Sequence, residues 1–321
     1  MTETHPPSQP TTLVARGPED LLAMVPIVLG FTPTDSVVML TFGTPHPFHA
    51  RIDLPDRTDE LAEMAEALFE PARRHRVEAV VLVVYSTHAG RARRAWRALR
   101  RAFDDSGIRV LEVLRADGRR WYPMLHGDRR LREDGVPYDV SAHRFAAQSV
   151  LDGRVTRGSR EEVAALLDTD PERAAAVEEL AAGLPDPQEA ETERHWVDRR
   201  VRRYLADGVP PSDADVARLL RLVRLAGLRD AALASLTRAS APRHVDLWVD
   251  VLRRTPTPYV PRVAGMLALA AWQDGHGALA WCAVDRCTEV DPDDRLAGYV
   301  ATALTRALPP STWRPGPGLS A

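Results

Sequence analysis

Residues 20–42 read DLLAMVPIVLGFTPTDSVVMLTF, and this stretch decides the fold of the N-terminal half. Its apolar first part ends at Gly30, a residue that commonly closes a helix in the left-handed conformation. The preceding run therefore predicts a helix, with Pro18 at its first position. After a proline-containing turn, residues 36–42 form a nearly continuous apolar run, which predicts a strand buried on both faces.

The next stretch alternates between apolar and polar residues. Residues 48–54 read FHARIDL, so His49, Arg51 and Asp53 face one side of a predicted strand. Further on, β-branched runs predict strands, helical periodicity predicts helices, and Asp-Gly at 117–118 predicts a hairpin turn. Strands are predicted at 12–16, 36–42, 48–54, 77–86, 108–116 and 119–125, and helices at 18–29, 58–75 and 90–104. The helix at 90–104 should connect two parallel strands.

The second half of the chain contains helical stretches separated by Gly, Pro and Ser, and no convincing strand. We therefore predict an α/β N-terminal domain, a mixed sheet with packed helices, followed by an all-α helical domain. The polar, Gly- and Pro-punctuated segment between them is the predicted linker. The predicted order is a disordered lead-in (1–10), the α/β domain (11–126), the linker (127–140), the helical domain (141–313) and a disordered tail (314–321).

Composition favours a soluble cytoplasmic protein. The 321 residues are 45% hydrophobic and 27% charged, which is typical of globular proteins of two domains. The net charge of −3 gives no overall attraction to nucleic acid or to an anionic membrane. The N-terminus has neither the basic start nor the apolar run of a signal peptide, and the longest apolar run is too short to span a bilayer. Two cysteines, Cys282 and Cys287, fit a reducing compartment.

Four blocks of the sequence resemble, in order, a family called domain of unknown function 4192. They are DLLAMVPIVLGFTPTDSVVML (20–40), RIDLP (51–55), SAHRFAAQSVLDGRVTRGSREEVAALL (141–167) and GALAWCAVDRCTEVDPDDRLAGYVATALTRALPPSTW (277–313). The resemblance implies an actinobacterial cytoplasmic protein. The amino-acid composition of the chain agrees with an actinobacterial origin, because all 42 basic residues are arginine and asparagine is absent. The family brings no reaction, ligand or catalytic residue that could be transferred to this chain.

A candidate ligand site lies where the turn enters the strand at residues 36–42. Thr34, Asp35 and Ser36 could present polar groups there, because loops at strand ends often carry function. Arg51 and Asp53, on one face of the next strand, could complete the site. Alternatively, Asp35 and Ser36 bond the turn backbone, and the Arg51–Asp53 pair either lies on a solvated side of the sheet or forms an internal charge pair beneath a helix.

The helix at 90–104 is the candidate interaction surface. At 100° per residue its apolar residues fall on one stripe, and the other face carries Arg93, Arg94, Arg97, Arg100 and Arg101. Residues 73–132 contain 16 arginines against six carboxylates, whereas residues 158–193 contain 2 against 11. Codon bias cannot segregate charge in this way. The basic face could contact phosphates, or it could receive the acidic stretch within the chain or in a dimer.

No motif for catalysis or metal binding is present. The chain lacks a GxSxG elbow, a P-loop, HExxH and CxxC, and no set of three or four ligands has metal-site spacing. We expect no cofactor, no metal and no catalytic residue. The sequence favours a non-catalytic interaction or regulatory protein that binds a protein partner or itself. Two alternatives remain: nucleic-acid association through the arginine face, and a small-molecule enzyme or sensor at the turn around Asp35.

Overall fold

A computed structural model describes residues 14–45, 47–151, 156–225 and 227–314. The chain divides into two compact units, residues 1–160 and 161–321. The predicted disordered lead-in and residues 315–321 of the predicted tail lie outside the described residues.

A mixed sheet forms the centre of the first unit. Its strands are β1 (Ser36–Phe42), β2 (His49–Asp53), β3 (Ala79–Tyr85), β4 (Arg109–Ala116), β5 (Arg120–Pro123) and β6 (Val136–Pro137). They lie in the order β2-β1-β3-β4-β5-β6. The β3–β4 pair is parallel, and the other pairs are antiparallel. The predicted mixed sheet and its parallel crossover are therefore confirmed.

Helices cover both faces of this sheet. They are α1 (Pro18–Leu29), α2 (Leu61–Arg74), α3 (Ala89–Phe103), α4 (Arg129–Asp134) and α5 (Arg144–Leu151). On one face, α2 and α3 pack residues such as Leu68 and Leu99 against Val37 and Val80. On the opposite face, α1 and α5 enclose a second core with residues from β1, β3 and β4. We call these the α2/α3 face and the α1/α5 face.

The segment before β1 follows the sequence prediction except at its start. Gly30 closes α1 with φ of 83°, and its amide donates to the Pro26 carbonyl at 2.8 Å. The first predicted strand, residues 12–16, is wrong over its described part, because residues 14–16 form no strand. The amide of Arg16 instead donates to the Asp20 carboxylate at 2.7 Å, and so this segment serves as the entrance to α1.

The second unit is helical, as predicted, with no strand in residues 161–225 or 227–314. Short turns of 3-10 helix lie at Thr257–Tyr259 and Pro310–Thr312. Its helices are α6 (Arg160–Ala165), α7 (Pro171–Ala182), α8 (Ala190–Asp207), α9 (Asp213–Leu222), α10 (Leu228–Leu233), α11 (Ala241–Arg253), α12 (Val260–Asp274), α13 (Gly277–Thr288) and α14 (Arg295–Thr305). The first of these, α6, begins at the last residue of the first unit. None of the helices in the described ranges is long and apolar enough to cross a bilayer.

The predicted linker, residues 127–140, contains α4 and β6. The two compact units meet further along the chain, between Arg160 and Glu161. The domain boundaries given by the sequence stay a prediction.

Candidate functional site

The register of the sheet places one row of residues across five strands. In this row Asp53 of β2 lies opposite Ser36 of β1, which in turn lies opposite Tyr85 of β3. The row continues through Ala116 of β4 to Trp121 of β5. Directly opposed residues of a sheet share a face, and Tyr85, Ala116 and Trp121 belong to the core of the α1/α5 face. The row therefore brings polar and aromatic side chains from distant parts of the chain to one edge of that face.

Ser36 and Arg51 are the unusual members of this region. Ser36 is fully buried, and its hydroxyl has no hydrogen-bond partner. The Nε of Arg51 is likewise buried and unpartnered, although its Nη2 lies 2.7 Å from the Asp53 carboxylate. The Arg51 side chain is 16% exposed and that of Asp53 is 74% exposed. The guanidinium carbon of Arg51 lies 5.9 Å from the ring centre of Phe31.

His49 lies two residues before Arg51 on the same face of β2. Its Nδ1 is buried and has no partner. Burial lowers the pKa of His49 to about 4, because the charged imidazolium loses its hydration. The imidazole is therefore neutral at neutral pH, and either ring nitrogen can carry the proton.

Asp35 and Thr34 lie apart from this group. Asp35 has a φ of 36°, a left-handed conformation that aspartate tolerates, and its carboxylate is 3.6 Å from Arg91 of α3. Arg91 also donates to the carbonyls of residues 54 and 55, and it pairs with Asp56 at 2.8 Å. Thr34 is exposed. The structure thus brings Ser36, Arg51 and Asp53 together on the α1/α5 face, while Asp35 is directed to the α2/α3 face.

Two residues of this region were missed by the sequence prediction. His49 could have been found, because the alternation along β2 already placed it beside Arg51. Arg91 could also have been found, because it lies four residues before Ala95 and therefore on the buried stripe of α3. Its guanidinium binds backbone carbonyls instead of solvent.

The arginine face of α3 is exposed along its whole length. The apolar stripe is buried as predicted, with Leu99 and Phe103 inside the core. Arg100 lies 3.8 Å from Asp104. The other four arginines form no ion pair with any described residue of the first unit; they are Arg93, Arg94, Arg97 and Arg101.

The whole arrangement lies within a region recognised by one family model. The model described as "Domain of unknown function (DUF4192)" matches residues 18–311. The chain belongs to this DUF4192 family. No curated protein and no solved structure matches the chain.

The cysteines of this DUF4192 chain are poorly suited to act as reactive thiolates. Neither Cys282 nor Cys287 forms a disulfide, and both are buried. The Cys287 thiol donates to the Pro261 carbonyl at 3.3 Å, and burial raises its pKa to about 12. Since the thiolate is the reactive form, Cys287 is a packing residue. Within the described ranges, no group of three or more His, Cys, Asp or Glu side chains could hold a metal ion.

Proposed function

We propose that this DUF4192 chain is a non-catalytic protein that binds an acidic segment of a protein partner along α3. One observation carries the proposal: four exposed arginines share one face of a single helix and form no ion pair with a described carboxylate of their own unit. A cytoplasmic location is part of the proposal, and the reduced, buried thiols of Cys282 and Cys287, which form no disulfide, support it.

The spacing of these arginines suits a chain of carboxylates. Arg93, Arg97 and Arg101 follow one another at intervals of four residues, so their Cα atoms span about 12 Å along the helix axis. A guanidinium group presents a fork of N–H donors that matches a carboxylate in two-point contact. Because α3 is anchored to the sheet by its buried stripe, the forks project from a fixed support.

Some other exposed arginines of the first unit have local partners. Arg73 and Arg74 both pair with Glu70, at 2.7 and 3.1 Å, and Arg129 pairs with Glu133 at 2.8 Å. Four of the arginines on the exposed face of α3, all except Arg100, form no ion pair with the described residues of this unit, so their positive field extends into solvent and can guide an acidic partner to the helix.

A protein partner fits this surface better than nucleic acid does. The neighbouring helix α2 packs beside α3 and carries two exposed carboxylates, Glu63 and Glu66. Packed helices lie about 8–10 Å apart, whereas the major groove of a duplex alone is about 12 Å wide. A duplex on α3 would therefore meet the carboxylates of α2, whereas an extended acidic peptide can follow α3 alone.

The test is a comparison of two charge reversals. Fluorescence anisotropy would measure binding of a labelled poly-glutamate peptide to the native chain, to Arg94→Glu/Arg97→Glu, and to the control Arg130→Glu/Arg132→Glu. The control arginines are exposed, belong to the same unit and undergo the same change of charge. We expect the α3 variant to weaken binding by about 10-fold or more, equivalent to about 1.4 kcal/mol, and the control to change it little.

The nature of the natural partner is tested in the host of the protein. A partner should co-purify with the native chain after nuclease treatment, and it should be lost from the α3 variant but not from the control. Equal retention by both variants would refute the α3 surface. A partner that disappears with nuclease, together with salt-sensitive binding of DNA or RNA, would replace our proposal by nucleic-acid association.

A further inference from the structure

We propose that Ser36 and Arg51 form a binding site for a small carboxylate at the outer corner of the sheet. The site is separate from the α3 surface, because it lies on the α1/α5 face. The ligand would accept hydrogen bonds from the Ser36 hydroxyl and from Nε of Arg51.

The first argument is the concentration of unpartnered polar atoms. Among the described residues, seven buried side-chain nitrogen or oxygen atoms have no hydrogen-bond partner. Three of the seven lie on one face of β1 and β2, in Ser36, Arg51 and His49. Arg51 is diagonally next to Ser36, whereas His49 lies opposite Leu40, about 13 Å along the strands from Ser36. Buried polar groups are nearly always paired in folded proteins, so the donors of Ser36 and Arg51 are available to an occupant. The free-energy cost of burying an unpaired polar group is greatest at Arg51, because its guanidinium group is charged.

The second argument is the chemistry of the two adjacent groups. The Ser36 hydroxyl and the Arg51 Nε both donate. A ligand that offers acceptor oxygens and few donors complements this set. Arg51 supplies the positive charge, while Asp53 engages only its Nη2 and is itself largely exposed to solvent. These features favour a carboxylate over a neutral amide or an alcohol.

The third argument is the backbone segment that encloses this corner of the sheet. The segment 30–35 lies between α1 and β1, and both its ends are left-handed, at Gly30 and Asp35. Its backbone is fixed by two bonds to Arg157: the Arg157 amide donates to the Gly30 carbonyl at 2.8 Å, and the Thr32 amide donates to the Arg157 carbonyl at 3.0 Å. Phe31 of this segment covers the Arg51 guanidinium. Because β2 is the outermost strand, the corner is next to solvent on the side of Asp53. An occupant must therefore be small.

The experiment titrates the full chain with sodium acetate at constant ionic strength, with sodium chloride and inorganic phosphate as comparison salts. Calorimetry and thermal unfolding would be measured on the native chain, Ser36→Ala, Arg51→Gln and the control Arg57→Gln. Arg57 is an exposed arginine that pairs with Asp59, so its loss removes the same charge from the same unit. We expect saturable acetate binding that weakens 10-fold or more in the Ser36 and Arg51 variants and is unchanged in the control.

Several results would overturn the proposal. They are the absence of saturable binding by acetate, preference for phosphate, or equal binding by native chain and Ser36→Ala. Ser36→Ala decides the matter even if Arg51→Gln does not fold, because the hydroxyl that it removes has no partner among the described residues. The α3 variant Arg94→Glu/Arg97→Glu should bind acetate normally, so failure of one proposal leaves the other testable.

Discussion

Two buried hydroxyls of β1 have opposite surroundings. Thr41 Oγ1 donates to the Phe48 carbonyl at 2.5 Å and accepts from the Phe48 amide at 3.2 Å, whereas the Ser36 hydroxyl has no partner. An unpaired buried polar group costs about 1–3 kcal/mol. Without ligand, Ser36→Ala should therefore raise the free energy of unfolding by about 1 kcal/mol.

The matched substitution Thr41→Val provides the contrast. It removes a hydroxyl that satisfies two groups of the Phe48 backbone, so it should lower the free energy of unfolding by about 1–3 kcal/mol. Both values would come from denaturant titrations. A loss of stability in Ser36→Ala similar to that in Thr41→Val would mean that the Ser36 hydroxyl has a structural partner.

A buried histidine of the second unit should make stability depend on pH. His244 is fully buried, its Nε2 lies 3.3 Å from the Ser235 hydroxyl, and burial lowers its pKa to about 4. The unfolded chain takes up a proton near pH 6.5, where the folded chain does not. His244 therefore favours folding above pH 6.5, and this contribution is lost as the pH falls toward 4.

The change of the free energy of unfolding with pH can be measured and assigned to single histidines. His244 should contribute up to about 1.4 kcal/mol per pH unit between pH 6.5 and 4, and His49 should add to it because burial lowers its pKa in the same direction. Denaturant titrations at several pH values would show a smaller slope in His244→Gln than in the native chain. The control His195→Gln, at an exposed position, should leave the slope as it is. An unchanged slope in His244→Gln would contradict the argument.

At the scale of elements, Asp294 joins the start of α14 to two other helices. Its Oδ1 accepts from the amides of Leu296 and Ala297, both at 3.0 Å. Its Oδ2 accepts from Arg229 at 3.0 Å and from Arg262 at 2.6 Å. The Asp294 side chain is fully buried, and that of Arg229 nearly so. The sequence analysis did not identify these two arginines as partners of Asp294.

Removal of this carboxylate should destabilise the second unit strongly. Asp294→Ala removes the buried carboxylate that pairs with Arg229 and Arg262 and caps α14, which should cost about 3–5 kcal/mol. Asp294→Asn retains a capping oxygen and should cost less. The exposed neighbour Asp293 offers the control Asp293→Asn, for which we expect less than about 0.5 kcal/mol. Thermal unfolding followed by circular dichroism would rank the three; a small effect of Asp294→Ala would exclude the buried ion pair as a source of stability.

The elements were predictable where local pattern determines them. The apolar run at residues 36–42 and the alternation at 48–54 gave β1 and β2, because the period of a strand is short and local. Contacts between distant positions were not predictable. Asp294 meets Arg229 across 65 residues of sequence, and Arg254 meets Asp213 across 41.

The candidate site was predictable only in part, for the same reason. Its members lie on adjacent strands, so the alternation of β2 placed Arg51 and Asp53 on one face. The turn at Asp35 was different. Its positive φ directs the carboxylate to Arg91, and no local pattern distinguishes this from the face of Ser36.

At the scale of the whole molecule, the second unit neutralises part of its acidic stretch by itself. The buried carboxylate of Glu193 pairs with Arg218 at 2.8 Å, and Asp186 lies 3.8 Å from Arg221. Charge segregation along the sequence is thus partly removed by folding within this unit. In the first unit the α3 arginines keep their charge exposed, which makes that face the stronger candidate for an external partner.

The final prediction concerns where the first folding unit ends. The core of the α1/α5 face includes Phe145, with Tyr138 and Val140 packed against it, and β6 pairs with β5. A fragment of residues 1–126 lacks all of these, whereas residues 1–160 retain them. Burial of a large apolar side chain contributes about 1.5–3 kcal/mol. We therefore expect the longer fragment to unfold cooperatively in guanidinium and the shorter one to lose several kcal/mol or its cooperativity.

Circular dichroism and amide NMR spectra of the two fragments would decide between the boundaries. Well-dispersed spectra and a sharp transition from residues 1–160 alone would place the end of the unit near Arg160, in agreement with the division of contacts. Equal stability of both fragments would instead support a linker at 127–140. In that case α5 would be an addition to a sheet that folds without it, and its cover over the α1/α5 face would not be required for the core.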